Sequence, residues 1–153
     1  MKKTAILTAI LAAGSLFAET VIQDSAFNYS SGAAKVTDSA AVDKSAGRMD
    51  ASKGWTLSYN INKDLFGPKV MTVSLRTDHK DAKGFFTIGI YNRKTKKIVL
   101  AKRLNVSDCA KDTFTDVSFS KWDFKEGDYF FVGSIFPKNK TPGYIYVDKI
   151  TFK

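Results

Sequence analysis

One histidine and one cysteine are all that this sequence offers to zinc or histidine-assisted nucleophilic chemistry. His79 lies in Arg76-Thr77-Asp78-His79-Lys80, a polar stretch that reads as a solvated turn. A Ser-His-Asp set would have to use it, and no serine sits in a nucleophile-elbow pattern. Zinc sites take several His or Cys ligands, which this chain lacks. Glycoside cleavage needs only two well-spaced acids, but a chain this small, with no deep insertion, has little from which to wall a cleft around them. Cys109 has no histidine or base beside it, and a single cysteine closes no internal disulfide, so it reads as a small packing residue. A small glycan-active hydrolase is therefore the last of three readings, and no enzymatic role is expected.

Twelve Phe and six Tyr fit a core built from aromatic and β-branched side chains, and some of the aromatic residues could instead meet a sugar. A flat aromatic face takes a pyranose ring, and directional polar groups take its hydroxyls. Candidates at strand ends and loops are Phe114, Trp122, Asn139, Tyr144 and Tyr146. Each has a second reading. Trp122 packs in the core beside Phe119 and Phe124, or it meets ligand. Tyr144, after Pro142-Gly143, stands at a rim or covers a strand edge. Tyr146 points to either face, because Asp148 implies a bulge. Trp55 opens an alternating strand and is expected in the core. Thr72, Ser74 and Arg76, with Thr87 and Tyr91, point away from the core and form either a shallow polar groove or a solvated face. Arg93-Lys94-Thr95-Lys96-Lys97, followed by Lys102-Arg103, is the strongest charge cluster. It suits uronic acids, lipopolysaccharide or nucleic acid, or it is a hairpin tip whose lysines prevent strand-to-strand association; the last is favoured.

The elements that must position these residues are strands. Trp55–Ile61, Met71–Arg76 and Phe86–Tyr91 alternate apolar and polar residues with the period of two of a half-buried strand. A fourth strand opens at Ile98 and ends near Leu104 or Val106. Thr113–Phe119 is a fifth, with Val117 and Phe119 inward. Tyr129–Phe136 is almost continuously apolar and reads as a central strand covered on both faces. Tyr144–Phe152 closes the chain. Polar or Gly/Pro segments separate them. Residues 24–54, poor in large apolar side chains, read as a long irregular covering segment with one short strand around Lys35–Thr37. No segment sustains a helical period, so the fold class is all-β, a two-sheet antiparallel sandwich or a barrel.

Residues 1–18 have the layout of an export signal: Lys2 and Lys3, an apolar run from Ala5 to Phe17 broken only by Thr8, Gly14 and Ser15, then Ala18. Residues 19–153 form one domain. Of 24 basic residues, losing Lys2 and Lys3 leaves 22 against 15 acidic ones, a charge of +7. The expected location is exported, periplasmic or extracellular, with no membrane span and no nucleic-acid partner.

Four local features resemble the jelly-roll carbohydrate-binding modules of families six and thirty-five, of the galactose-binding-like group. They are Trp55 with Tyr59, Val73-Ser74-Leu75-Arg76, the Lys125-Glu126-Gly127-Asp128-Tyr129 turn before an apolar strand, and the closing Ile145-Tyr146-Val147-Asp148-Lys149-Ile150-Thr151-Phe152. The resemblance covers residues 47–153. It implies a jelly-roll sandwich and polysaccharide binding, with Phe114 where the family carries a sugar-stacking Trp and Tyr146 where it carries a sugar-bonding Asn. It also implies a structural calcium between the N-terminal strand and the closing Asp, here Asp24 and Asp148. The alternative is that Asp148 caps a bulge by accepting main-chain N–H groups; no cofactor is required. The reading that follows is a free-standing, non-catalytic, monomeric carbohydrate-binding domain, with an envelope-associated protein-interaction sandwich as the alternative.

Overall fold

The computed structural model describes residues 19–79, 83–109, 112–136 and 143–153. Residues 1–18, with the expected export signal, and the candidate Asn139 lie outside them. Thirteen strands run through the described residues: β1 (Thr20–Gln23), β2 (Asn28–Tyr29), β3 (Ala33–Thr37), β4 (Ser45–Asp50), β5 (Leu57–Asn60), β6 (Gly67–Lys69), β7 (Met71–Thr77), β8 (Phe85–Asn92), β9 (Lys97–Asn105), β10 (Thr115–Ser118), β11 (Trp122–Phe124), β12 (Asp128–Val132) and β13 (Tyr144–Phe152). One helical turn, α1 (Val106–Cys109), follows β9. Cys109 is buried in it.

The strands form two antiparallel sheets face to face and a short ribbon. The first sheet runs β10-β7-β13-β4-β3, with β1 also on β13; the second runs β2-β5-β12-β8-β9. β6 and β11 make the ribbon. Alternate residues of the two sheets meet in the core. Met49, Val73, Leu75, Ile145 and Ile150 come from the first, and Leu57, Phe86, Ile88, Ile90 and Phe130 from the second, all fully buried. Phe124 of the ribbon meets Phe152 edge-on at 5.3 Å. The chain is an all-β jelly-roll sandwich.

β13 organises the first sheet. Its whole length pairs with β7, while β4 pairs with Tyr144–Val147 and β1 with Lys149–Phe152. The register of β13 against β7 shifts between Val147 and Lys149, so Asp148 is the bulged residue, as the sequence led one to expect. Where β1 meets the end of β13, Lys153 Nζ and a Glu19 carboxylate oxygen are 3.2 Å apart.

Several expectations change. Residues 24–54 carry β2, β3 and β4, and β4 is an interior strand rather than a covering loop. At Gly47 no side chain fits: an added Cβ would lie 2.7 Å from Leu57 and 2.9 Å from Phe27. Tyr129–Phe136 ends as a strand at Val132, although β12 is the central strand of its sheet. His79 is buried, not solvated. Its main-chain N–H donates to Thr77 Oγ1 at 3.1 Å, and Gly143 packs so closely that a Cβ there would sit 2.7 Å from its ring. Thr72, Ser74 and Arg76 belong to one sheet and Thr87 and Tyr91 to the other, so they share no groove.

Gly89 shows how tightly β9 wraps β8. The register of this pair shifts between Ile90 and Tyr91, and a Cβ at Gly89 would stand 2.2 Å from the Leu100 carbonyl oxygen. Main-chain atoms cannot yield as a side chain can. Gly89→Ala is therefore expected to lower unfolding free energy by about 1–3 kcal/mol, read from the urea midpoint.

Candidate functional site

Trp55 is the main departure from the sequence reading. The alternation Trp55, Leu57, Tyr59, Ile61 continues past the end of the actual strand, which starts at Leu57. Trp55 stands before it with φ +69° and is 41% exposed. Left-handed backbone is costly for a bulky side chain and needs a compensating arrangement. Two contacts hold it. The Trp55 N–H donates to the Val132 carbonyl at 2.7 Å, and the indole lies flat on Phe131, centroids 4.0 Å apart and planes 3° from parallel. Phe131 points out of the sandwich from β12 yet is almost fully buried. One indole face is thus spent on Phe131, and the side chain's exposure leaves the opposite face available.

The surroundings continue this surface. Tyr91 and Tyr129, paired across β8 and β12, meet the indole edge-on at centroid distances of 5.5 and 6.0 Å. Beyond Trp55 lies a depression of about 260 Å³ lined by Trp55, Thr87, Ile98, Phe131, Gly133, Ser134 and Phe136. Seven large apolar side chains are exposed among the described residues, and three line this one depression: Trp55, Ile98 at 50% and Phe136 at 45%. Clustering of that kind marks a binding surface, whereas scattered apolar residues do not. Gly133 and Ser134 add small size and a hydroxyl. Arg93 lies over the Tyr129 ring at 4.5 Å and Arg103 over Phe85 at 3.3 Å, on the same outer face.

Three of the sequence candidates meet elsewhere, around the outer face of the first sheet. Tyr146 on β13 stands between Arg76 of β7 and Arg48 of β4 in the strand register. The Arg76 guanidinium lies 4.1 Å from the Tyr146 centroid and 5.4 Å from that of Phe114, and Arg48 lies 4.4 Å from Tyr144. Asp38 holds Arg76 at 2.6 Å. Asp78 accepts the Tyr144 N–H at 2.6 Å and the Tyr146 hydroxyl at 2.9 Å. Guanidinium groups therefore cover ring faces that a sugar would otherwise use. Trp122 joins neither group: it is half-buried against the core, its indole N–H directed at Asp128 Oδ2 at 3.4 Å.

Asp24 and Asp148 are both buried. Asp148 Oδ1 accepts the Val42 N–H at 3.2 Å. Burial first, then the charges of Asp43 and Asp24, push its carboxyl above the usual carboxylate range, against the Val42 hydrogen bond and Lys149. Asp24 accepts Ser45 Oγ at 3.2 Å, and Lys35 Nζ lies 3.2 Å from its other oxygen. That oxygen and Gln23 Oε1 are buried with no hydrogen bond. Among the described residues no three His, Cys, Asp or Glu gather as a metal cluster. The donor set still fits a hard cation in kind, as all are oxygens and two are buried lone-pair donors lacking a hydrogen. Asp24 and Asp148 would hold such an ion, with Lys35 as its competitor.

No protein-family model matches the chain, and no curated protein matches it in sequence. Its fold is that of jelly-roll carbohydrate-binding modules. In particular it is similar to the CBM36-1 domain of a multidomain xylanase from the hindgut metagenome of Trinervitermes trinervoides, at 9% identity and TM-score 0.57 over 89% of this chain and 97% of that one. It is also similar to the C-terminal CBM6 of a marine laminarinase from Zobellia galactanivorans (16%, 0.56, 89% and 99%). A family 35 carbohydrate-binding module from Clostridium thermocellum gives 14%, 0.58, 87% and 97%. Identities this low establish the shared architecture.

The Tyr146–Asp78 contact has a pH signature. Burial first, and then the hydrogen bond to the Asp78 carboxylate, push the Tyr146 hydroxyl up to about 12. An unfolded tyrosine ionises near about pH 10, so this contact's contribution to stability is complete below that pH and is lost as pH rises through the folded value. The urea midpoint of wild type relative to Tyr146→Phe is expected to hold steady up to that point and then fall.

Proposed function

We propose that this protein is an exported, non-catalytic polysaccharide-binding domain whose ligand lies along the outer face of the second sheet, flat on Trp55. The observation that carries this reading is the indole itself: one face rests on Phe131, and a strained backbone holds the ring out where the other face meets solvent. A ring fixed by its underside loses little entropy on binding, which suits it to stacking against a sugar. Ile98 and Phe136 wall the adjoining depression, and Thr87, Ser134, Ser58 and Asn60 on the same face offer polar groups. The jelly-roll likeness to carbohydrate-binding modules supports the reading, as does the export-signal layout of residues 1–18. No helix of the described residues is long and apolar enough to cross a membrane.

Affinity electrophoresis against a panel of soluble polysaccharides tests this. Wild type is expected to be retarded by at least one polymer. Trp55→Ala should lose about tenfold or more in affinity, the order expected from deleting a central aromatic anchor. Tyr144→Ala should bind as wild type. Retardation by none, or retardation unchanged by Trp55→Ala, would sink the proposal.

We further propose that calcium ties Asp24 to Asp148 and so fastens β1 to β13. Replacing chelator by calcium should raise the thermal midpoint, and the rise should be larger in Lys35→Met, where no ammonium competes for Asp24. A midpoint indifferent to calcium in both proteins would refute it.

A further inference from the structure

We infer that the ligand of the Trp55 face is a linear anionic polysaccharide, whose carboxylate or sulfate groups are met at both ends of the aromatic trough by Arg93 and Arg103. This rests on the glycan reading and narrows it. The trough follows β8. At one end Arg93 caps Tyr129, which pairs with Tyr91; at the other Arg103 caps Phe85 and pairs across the strands with Thr87. Phe85 and Tyr91 are six positions apart on one strand, about 20 Å at the usual rise per residue. Trp55 lies between, stacked on Phe131, which pairs with Gly89; Ile98 stands in register with Tyr91 at one end and Phe136 bridges Phe85 at the other. The two cations therefore stand apart by far more than one sugar ring, on the axis an extended chain would take.

Neither guanidinium has a carboxylate partner among the described residues. This separates them from Arg76, which Asp38 neutralises. No acidic side chain lines the depression between them. Of the described acids, Glu126 is ion-paired with Lys94 and Asp108 accepts the Asn105 amide at 3.1 Å. An arginine held over a ring keeps its in-plane N–H donors directed outward, where they suit a planar carboxylate or a sulfate in paired fashion. Among the described residues this face thus combines an apolar floor for sugar rings with two positive charges that have no carboxylate partner, and no acidic side chain lines its depression.

The test uses matched polymers: polygalacturonate against its fully methyl-esterified form, and dextran sulfate against dextran. At low salt, the charged member of at least one pair should bind wild type about tenfold more tightly, and rising salt should erase the difference. Arg93→Gln/Arg103→Gln should bind the charged polymer only as well as its neutral partner, while Trp55→Ala should weaken both. Equal binding of charged and neutral polymers by wild type, with Trp55→Ala defective, would overturn this inference and leave the glycan reading standing. Retention of neither member of either pair would overturn this inference, and would overturn the glycan reading too if no polymer of the wider panel retards the protein. Equal retention of a single-stranded oligonucleotide, insensitive to Trp55→Ala, would show a general polyanion patch and overturn the inference as well.

Discussion

Phe131 faces away from the core on the central strand of its sheet, and something must cover it. Full burial of a phenylalanine is favourable by about 2–3 kcal/mol, and a well-placed aromatic pair adds about 1 kcal/mol. Left-handed backbone at a bulky residue costs about 1–3 kcal/mol. Trp55 accepts that cost because Phe131 and the Val132 carbonyl repay it. The geometry of the outer face follows from this trade. A tryptophan that must lie flat on a sheet cannot also sit in the core, so its far side meets water next to two tyrosines.

Both outer faces of the sandwich lay arginines on aromatic rings, and they differ at Trp55. On the second sheet an aromatic lies on an aromatic and leaves a ring face clear. On the first, Arg48 and Arg76 lie on Tyr144, Tyr146 and Phe114, and Asp38 and Asp78 pin that arrangement. The first-sheet cluster is held by contacts within the chain, whereas the Trp55 indole on the second sheet stays 41% exposed. Residue type alone does not distinguish them, since both contain tyrosines and arginines.

Much of the fold was legible in the order of residues because a half-buried strand must alternate. β7, β8, β9 and β13 stand close to where that pattern put them, and Val117 and Phe119 are both buried. β4 escaped notice because its buried positions are Ala46, Gly47 and Met49: its partners come so close that small residues are required, and small residues carry little periodic signal. Trp55 was misjudged for the converse reason, since the alternation runs on into a residue whose backbone has already left the strand. One trace of the Trp55 face was present. The run Tyr129–Phe136 puts large apolar side chains on both faces of one strand, so the outward set required a cover. Phe114, Tyr144 and Tyr146 do come together, but which ring faces remain clear depends on arginines from β4 and β7, far apart in the chain.

β1 and the end of β13 lie side by side, with Glu19 against Lys153. The described chain thus leaves the sandwich at the corner where it enters, on the sheet opposite the Trp55 trough. Residues 19 and 153 could be joined by a short bridge and the chain opened in a surface turn without rerouting any interior strand. The same adjacency lets a passenger fused at either end hang from one corner, clear of the trough.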